Sequence, residues 1–263
     1  QAAVAFSGGV DSSLLLKMAL DCLGADKVLA VTIVSAVHPE QERRDAEQLA
    51  AALGARHVWV ESNELQNEEF VANRTDRCYV CKFARFGELA QIARDHGLAH
   101  LLDGSNCDDL GDYRPGQRAA AERGVRSPLQ EAGFSKADVR ALSKALNLPT
   151  WNRPSQACLA SRFPYGEQIT SAGLRRVEQA EAVLHRLVSG QVRVRHHGNL
   201  ARIEVEPDQL APLLGRKDEV VAGLKSLGFT YITLDLAGFR SGSMNEVLKS
   251  ANGTDRVTPS PVR

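Results

Sequence analysis

Ala3-Val4-Ala5-Phe6-Ser7-Gly8-Gly9-Val10-Asp11-Ser12-Ser13-Leu14-Leu15-Leu16 decides how this chain is read. An apolar run ends in Ser-Gly-Gly, an Asp and two Ser follow, and a Leu-rich helical pattern begins. The order predicts a strand, a tight loop and a helix N-terminus. Gly8 and Gly9 lack Cβ atoms, so the backbone there can turn sharply and approach a ligand closely. Ser7, Ser12 and Ser13 supply hydroxyl donors. The first-turn amides carry partial positive charge, so the place suits an anion. Neither G-x-x-x-x-G-K-[ST] nor G-x-G-x-x-G is present, which excludes a Walker loop and a Rossmann fingerprint. The bland alternative is a Gly-Ser turn before a core helix.

Working outward, apolar strands alternate with amphipathic helices. Ser12 to Leu23 reads as a helix, Val28 to Val34 as a buried strand, Gln41 to Leu53 as a helix and His57 to Val60 as a strand. A helix is expected from Phe83 to His96 and a fourth strand from Leu98 to Asp103. Such alternation predicts right-handed βαβ units and a parallel sheet, with ligands at the carboxyl ends of the strands. The fourth strand runs into Gly104 to Gly116, a loop carrying Asp108, Asp109 and Asp112. Hard oxygen ligands at a strand end suit Mg²⁺ bound with phosphates, though a solvated polar loop would read the same way. Ser135 can cap a helix over Lys136 to Leu146.

Pro149, Pro154 and Pro164 punctuate the next stretch, which reads as an interdomain segment. Beyond it the rhythm changes. Ser171 to Val188 and Lys217 to Leu227 are helical. Gln191 to His197 and Leu200 to Glu206 alternate with period two around Gly198-Asn199, a hairpin signal. With Thr230 to Leu234 as a last strand, this predicts a small α+β domain with an antiparallel sheet. The expected organisation is an α/β domain over 1–150, an α+β domain over 151–249 and a disordered tail over 250–263.

Composition bounds the function. The 263 residues are 43% apolar and 24% charged, with a formal net charge of zero, so a globular protein without a large footprint for nucleic acid is expected. Residues 1–150 hold 17 Lys and Arg against 21 Asp and Glu, whereas residues 151–263 hold 15 against 11. The basic half could meet an anionic substrate, and ordinary charge scatter explains the difference equally well. No run of eighteen apolar residues occurs, so no membrane span is expected. Five cysteines and no secretory signal point to a cytoplasmic protein with reduced thiols. Because the chain starts at Gln1 rather than Met, further N-terminal residues are expected.

Cys78-x-x-Cys81 alone fits a zinc half-site, a redox pair or two packed thiols. Cys158, in a Pro-bounded segment, could join them. Three thiolates and one open position suit an iron–sulfur cluster better than closed structural zinc, with Cys107, His57 or His100 as possible fourth ligands. Cys22 falls in a Leu-rich helix and is expected in the core. Arg193 and Arg195 share one face of the predicted hairpin, where a phosphate could be gripped. Glu181 and Glu204 could offer carboxylates near the thiolates, for a metal or for proton transfer. A solvated surface is the competing reading for all four.

Ser7-Gly8-Gly9-Val10-Asp11-Ser12-Ser13 resembles the pyrophosphate loop of the PP-loop ATP pyrophosphatases, a superfamily of HUP-like fold. That loop, the segment from Asp108 to Gly116, Pro154 to Arg162, Pro164-Tyr165-Gly166 and Gly242-Ser243-Met244-Asn245 together resemble the LarE family. Its members are ATP-dependent sulfur transferases that help make the nickel-pincer nucleotide cofactor of lactate racemase. The resemblance implies that a carboxylate of pyridinium-3,5-biscarboxylic acid mononucleotide is adenylated and that sulfur then displaces AMP. It implies that Ser7 to Ser13, with Gly104, Asp108 and Asp109, hold ATP and Mg²⁺, and that Asp11 is catalytic. It matches Cys158 to the sulfur-bearing cysteine. Some members sacrifice that cysteine's sulfur; others hold a [4Fe-4S] cluster on three cysteines, as Cys78, Cys81 and Cys158 would. Ser161 and Arg162, with Arg193 and Arg195, are the implied substrate residues. Sulfide or another sulfur donor, and a homo-oligomeric state, are also expected. An ammonia-using ligase of the NAD or GMP synthetase type, a tRNA thiolase and a non-enzymatic nucleotide sensor are the rivals. None of the three accounts as well for the loop, the cysteines and the charge together.

Overall fold

The computed structural model describes residues 1–111, 115–154 and 157–251. Within them the chain forms two compact units, one of residues 1–160 with 165–175, the other of 161–164 with 176–251. The first unit runs β1 (Ala2–Ala5), α1 (Val10–Leu23), β2 (Val28–Val34), α2 (Glu40–Ala52), β3 (Arg56–Glu61), α3 (Glu68–Val71), α4 (Arg77–Asp95) and β4 (His100–Leu102). It continues through α5 (Pro115–Glu122), α6 (Pro128–Glu131) and α7 (Lys136–Ala145). The strands form one parallel sheet in the order β3-β2-β1-β4.

That order follows from burial. Strands covered on both faces are near-continuously apolar, and β1 and β2 are, with Thr32 the one polar residue, its hydroxyl donating to Phe6 O. Ala2 and Val4 of β1 pack with Leu14, Leu15 and Leu16 of α1, Ala46 and Leu49 of α2, and Val139 of α7. Ala3, one residue over and therefore on the opposite face, packs with Phe86, Leu89 and Ala93 of α4. After β3 the chain returns to the other side of β1 to lay down β4. The strand order therefore reverses between β1 and β4, the switch point where open parallel sheets bind ligands.

Leu159, Gly166 and Ile169 are tied within the first unit by main-chain bonds. Leu159 N donates to Val37 O at 2.9 Å, Gly166 N to Asn73 O at 2.9 Å and Ile169 N to Val71 O at 3.0 Å. Helix α8 (Ser171–His185) crosses the division between the units. The second unit then holds β5 (Val192–His197), β6 (Leu200–Val205), α9 (Leu210–Gly215), α10 (Lys217–Ser226), β7 (Tyr231–Leu234) and α11 (Glu246–Ala251). Val192, Val194, Ala201, Ile203 and Val205 bury one sheet face against Ala180 and Leu184 of α8 and Leu224 of α10.

The hairpin of β5 and β6 is antiparallel, as its alternation predicts, but β7 pairs parallel to β6. The expected antiparallel sheet is therefore a mixed one. The helices α9 and α10 between β6 and β7 carry the chain back to the starting end, which forces the parallel direction. Cys22, expected in the core, is exposed. It sits in the last turn of α1, beyond Ala19, the last buried residue of that helix. Helix α4 begins at Arg77 rather than Phe83, so Cys78 and Cys81 stand on its first turns. Asp112, Ser155, Gln156 and the tail from 252 lie outside the described residues. No helix among the described residues is long and apolar enough to cross a membrane.

Candidate active site

The loop between β1 and α1 is built from its own hydroxyls. Ser13 Oγ donates to Gly9 O at 2.7 Å and Ser12 Oγ donates to the same oxygen at 3.2 Å. Ser7 N reaches Ser12 Oγ at 3.3 Å, and the Ser7 and Ser12 hydroxyls lie 3.1 Å apart. Gly8 has φ +72°, and a Cβ there would sit 3.1 Å from Ala46 Cα. Both backbone conformation and space therefore demand glycine. Gly104, at the end of β4, is the second forced glycine, because an added Cβ would lie 2.9 Å from Ser12 N. The chain after β4 thus passes close against the first turn of α1.

Asp11 is held from two sides. Asn106 Nδ2 donates to Oδ1 at 3.0 Å and Lys136 Nζ donates to Oδ2 at 2.5 Å. Asp108 accepts from Lys136 N at 3.0 Å, and Asp109 accepts from Asn106 N at 3.0 Å. Arg153 pairs with Asp45 and donates to Gly8 O at 3.2 Å. Lys136 and Arg153 carry no motif of their own, and sequence reading passes over both.

Among the described residues, Ser7 lines the three cavities that follow. An apolar one of about 210 Å³ is lined by Phe6, Val31, Trp59, Arg85 and Phe86. A polar one of about 200 Å³ is lined by Gly9, Asp11, Ser12, Lys82, Gly104, Asp109 and Gln117. The third, of about 210 Å³, joins Gly9, Asp11, Lys136 and Arg153 to His38 and Cys158. The predicted loop residues and the predicted sulfur residue therefore share one wall.

Cys158 owes that position to its neighbours. Arg77, buried at the start of α4, donates to Ala160 O at 2.9 Å and to Asn73 Oδ1, and its other amino nitrogen lies 3.9 Å from Cys78 Sγ. This draws segment 158–160 toward the turn bearing Cys78 and Cys81. Burial pushes the Cys81 thiol up to about 12, Arg85 opposes the shift, and Cys158, Glu64 and Cys78 add to it. Cys78 and Cys158 thus both act on Cys81, and as soft donors the three thiols suit an iron–sulfur centre. Among the described residues, however, no group of three or more His, Cys, Asp or Glu side chains is drawn together as a metal shell. Of the suggested fourth ligands, His57 is engaged by Thr32 Oγ1 at 2.8 Å and Cys107 donates to Gln130 O at 3.6 Å.

In the second unit the predicted substrate residues form a buried lattice. Arg162 grips Glu181 through two bonds of 2.8 Å, and Glu181 also accepts from Val194 N at 2.9 Å. Arg195 pairs with Glu204 at 2.6 Å and donates to Ser243 Oγ at 2.9 Å and Ser161 O at 3.0 Å. Arg202 reaches the other oxygen of Glu204 at 3.2 Å. Arg193 lies over the Phe239 ring at 5.2 Å. Burial, then the charge of Arg162, pushes Arg193 down to about 10. Glu181 and Glu204, expected as metal or proton-transfer groups, have their carboxylates taken by guanidinium groups.

Residues 1–76 match the NAD synthase family. With the loop at the switch point, this makes the chain a member of the PP-loop ATP pyrophosphatases, which use ATP with Mg²⁺. Over 248 residues it is 45% identical to the pyridinium-3,5-bisthiocarboxylic acid mononucleotide synthase of Lactiplantibacillus plantarum, covering 94% of this chain and 90% of that one. An uncharacterised Synechocystis protein is 47% identical over 94% and 93% of the two chains. A tRNA-specific 2-thiouridylase of Azorhizobium caulinodans is 29% identical over 74% of this chain and 59% of its own. The chain belongs to the LarE family and is an ATP-dependent enzyme that transfers sulfur.

Proposed function

We propose that the enzyme adenylates a carboxylate of pyridinium-3,5-biscarboxylic acid mononucleotide and replaces the AMP with sulfur, leaving a thiocarboxylate. The observation that carries this reading is the cavity in which Gly9, Asp11, Lys136 and Arg153 share walls with Cys158. An acyl-adenylate formed at the loop would lie beside the sulfur that consumes it, which is the proximity such a reaction needs.

The loop amides, Ser7, Ser12 and Ser13 bind the pyrophosphate part of ATP, with Val10 opening the helix behind them. Lys136 and Arg153 neutralise it as it leaves. Asp11, released from Lys136, holds Mg²⁺ with help from Asp109, while Gly104 and Asp108 shape the loop around them. The apolar cavity beside Phe6 and Trp59 takes the adenosine. In the second unit, the buried guanidinium groups of Arg162, Arg193 and Arg195 lie close to the buried carboxylates of Glu181 and Glu204. Guanidinium groups suit a phosphate, so Arg193 and Arg195, with Ser161 and Arg162 behind them, are the proposed phosphate site. Glu181 and Glu204 hold those arginines in place.

Cys78, Cys81 and Cys158 would hold a [4Fe-4S] cluster, whose chemistry would be to carry sulfide supplied from solution to the site. The electrostatic coupling of Cys81 to both partners favours this over sacrifice of a single thiol. The test is an anaerobic reaction with ATP, Mg²⁺ and the mononucleotide, read by pyrophosphate release, iron content and product mass. Cys78→Ala, Cys81→Ala and Cys158→Ala should each lose iron and sulfur transfer but retain ATP binding. Full transfer by the first two variants, with dehydroalanine at position 158, would establish sacrifice instead. Pyrophosphate release only with ammonia and a deamido nucleotide would favour the NAD synthetase type.

A further inference from the structure

The apolar cavity and the Cys158 cavity share the side chains of Ser7, His38 and Glu42. An acyl-adenylate with its adenosine in the first cavity and its acyl carbon turned toward Cys158 in the second must pass these side chains. His38 follows β2, where its main-chain N–H donates to Ser35 O at 3.1 Å. Its ring is fixed by Arg85, whose Nη1 donates to His38 Nε2 at 3.1 Å. Arg85 is itself held by Glu64 at 2.5 Å and Ser35 Oγ at 2.9 Å.

A guanidinium has donors only and does not give up a proton in proteins, so Nε2 must accept. The proton of the neutral ring is then on Nδ1, and among the described residues no group meets it. We infer that His38 Nδ1–H is a hydrogen-bond donor to the acyl carbonyl oxygen of the adenylate while sulfur attacks. This rests on the function proposed above.

The lone pair of Nε2 is occupied and Nδ1 carries a proton, so His38 has no free site at which to act as a base. Burial and the charge of Arg85 push it down to about 4, which keeps it neutral. A neutral imidazole can still stabilise developing negative charge by donation. In the step itself, hydrosulfide attacks the acyl carbon and the carbonyl π pair moves onto oxygen, toward Nδ1–H. When the carbonyl reforms, the carbon–oxygen bond to phosphate breaks and AMP leaves with that electron pair. The thiocarboxylic acid proton is lost to water, and His38 keeps its own proton throughout.

The test separates the two half-reactions. His38→Phe keeps an aromatic ring and removes the donor. It should leave pyrophosphate release within about threefold of the parent, yet slow thiocarboxylate formation from preformed adenylate by about a hundredfold. His38→Asn, whose side-chain amide can stand near Nδ1, should restore about tenfold of that loss. Unchanged transfer in His38→Phe would overturn the assignment, as would equal loss in both half-reactions, which marks a nucleotide-binding or packing role. Long-range ¹H–¹⁵N spectra of the wild-type protein provide a measurement without turnover. They should show the Nδ1–H tautomer of His38, and an Nε2–H tautomer would also overturn it. If wild-type enzyme releases no pyrophosphate with this mononucleotide, the substrate reading is the part that fails, and the tautomer still decides where the donor points.

Discussion

Lys136 and Asp11 form an ion pair in the first unit with side chains 30% and 24% exposed, whereas Arg195 and Glu204 in the second are 6% and 0% exposed. Water can replace either partner of the first pair at little cost, so a metal ion or a phosphate can as well. The second pair is sealed, and taking away one partner strands the other in a medium that cannot solvate it. The same chemistry of carboxylate and cation therefore serves exchange in one region and rigid placement in the other. A loop that must bind and release ATP has exposed, replaceable partners. An arginine that must keep one orientation has buried ones.

The sharpest break of that comparison is at Asp11. Asp11→Ala should abolish pyrophosphate release while changing the unfolding free energy by no more than about 1 kcal/mol, because the pair it removes is solvated. Comparable losses of stability and activity would place Asp11 with the sealed pairs. Glu204→Leu should do the reverse. It strands Arg195 and should cost about 3–5 kcal/mol in denaturant unfolding, with ATP binding by the first unit intact.

Acid should act on the first unit through His38. Folding lowers its pKa from 6.5 to about 4, so its neutral form is the one the fold favours. That contribution is whole above about pH 6.5 and is lost as the pH falls toward 4, because the unfolded chain then binds the extra proton. His38→Phe should flatten this part of the stability profile, and an unchanged profile would show that other groups set it. The smallest effect on stability is expected at Arg193, whose guanidinium lies over the Phe239 ring. Arg193→Met should leave the free protein equally stable or more stable by about 1 kcal/mol, yet raise KM for the mononucleotide far more than KM for ATP. A clear loss of stability would show that Arg193 belongs to the lattice rather than to a ligand.

Much of the architecture was legible because it rests on local chemistry. The run from Ala3 to Phe6 followed by Ser-Gly-Gly declares a strand end and a loop. Val192, Val194, Ile203 and Val205 alternate around Gly198-Asn199, and Ser135 forms the expected cap with Asp138 at the start of α7. What was not legible depends on where the chain travels. Nothing in Tyr231 to Leu234 states a direction, so the parallel pairing of β7 had to come from the crossover before it. The loop expected over Gly104 to Gly116 gives way to α5 at Pro115: Pro115-Gly116 is turn punctuation in sequence, although proline is well suited to a first helical position. The site divides in the same way. Loop residues and cysteines announce themselves by spacing, but Lys136, Arg153, His38 and Arg85 come from separate segments and acquire meaning only where they converge.

The mixed sheet also sets an order of events in folding. His197 and Leu200 are paired across a two-residue turn, so β5 and β6 can zip with almost no loop to close. Leu200 and Tyr231 are paired across roughly thirty residues that include α9 and α10, and that closure must wait until those helices have formed. The last strand to dock is at the sheet edge with a single neighbour, and it should be the first to leave. Amide exchange would then divide this sheet unevenly, with slow hydrogens along the hairpin and faster ones along Tyr231 to Leu234.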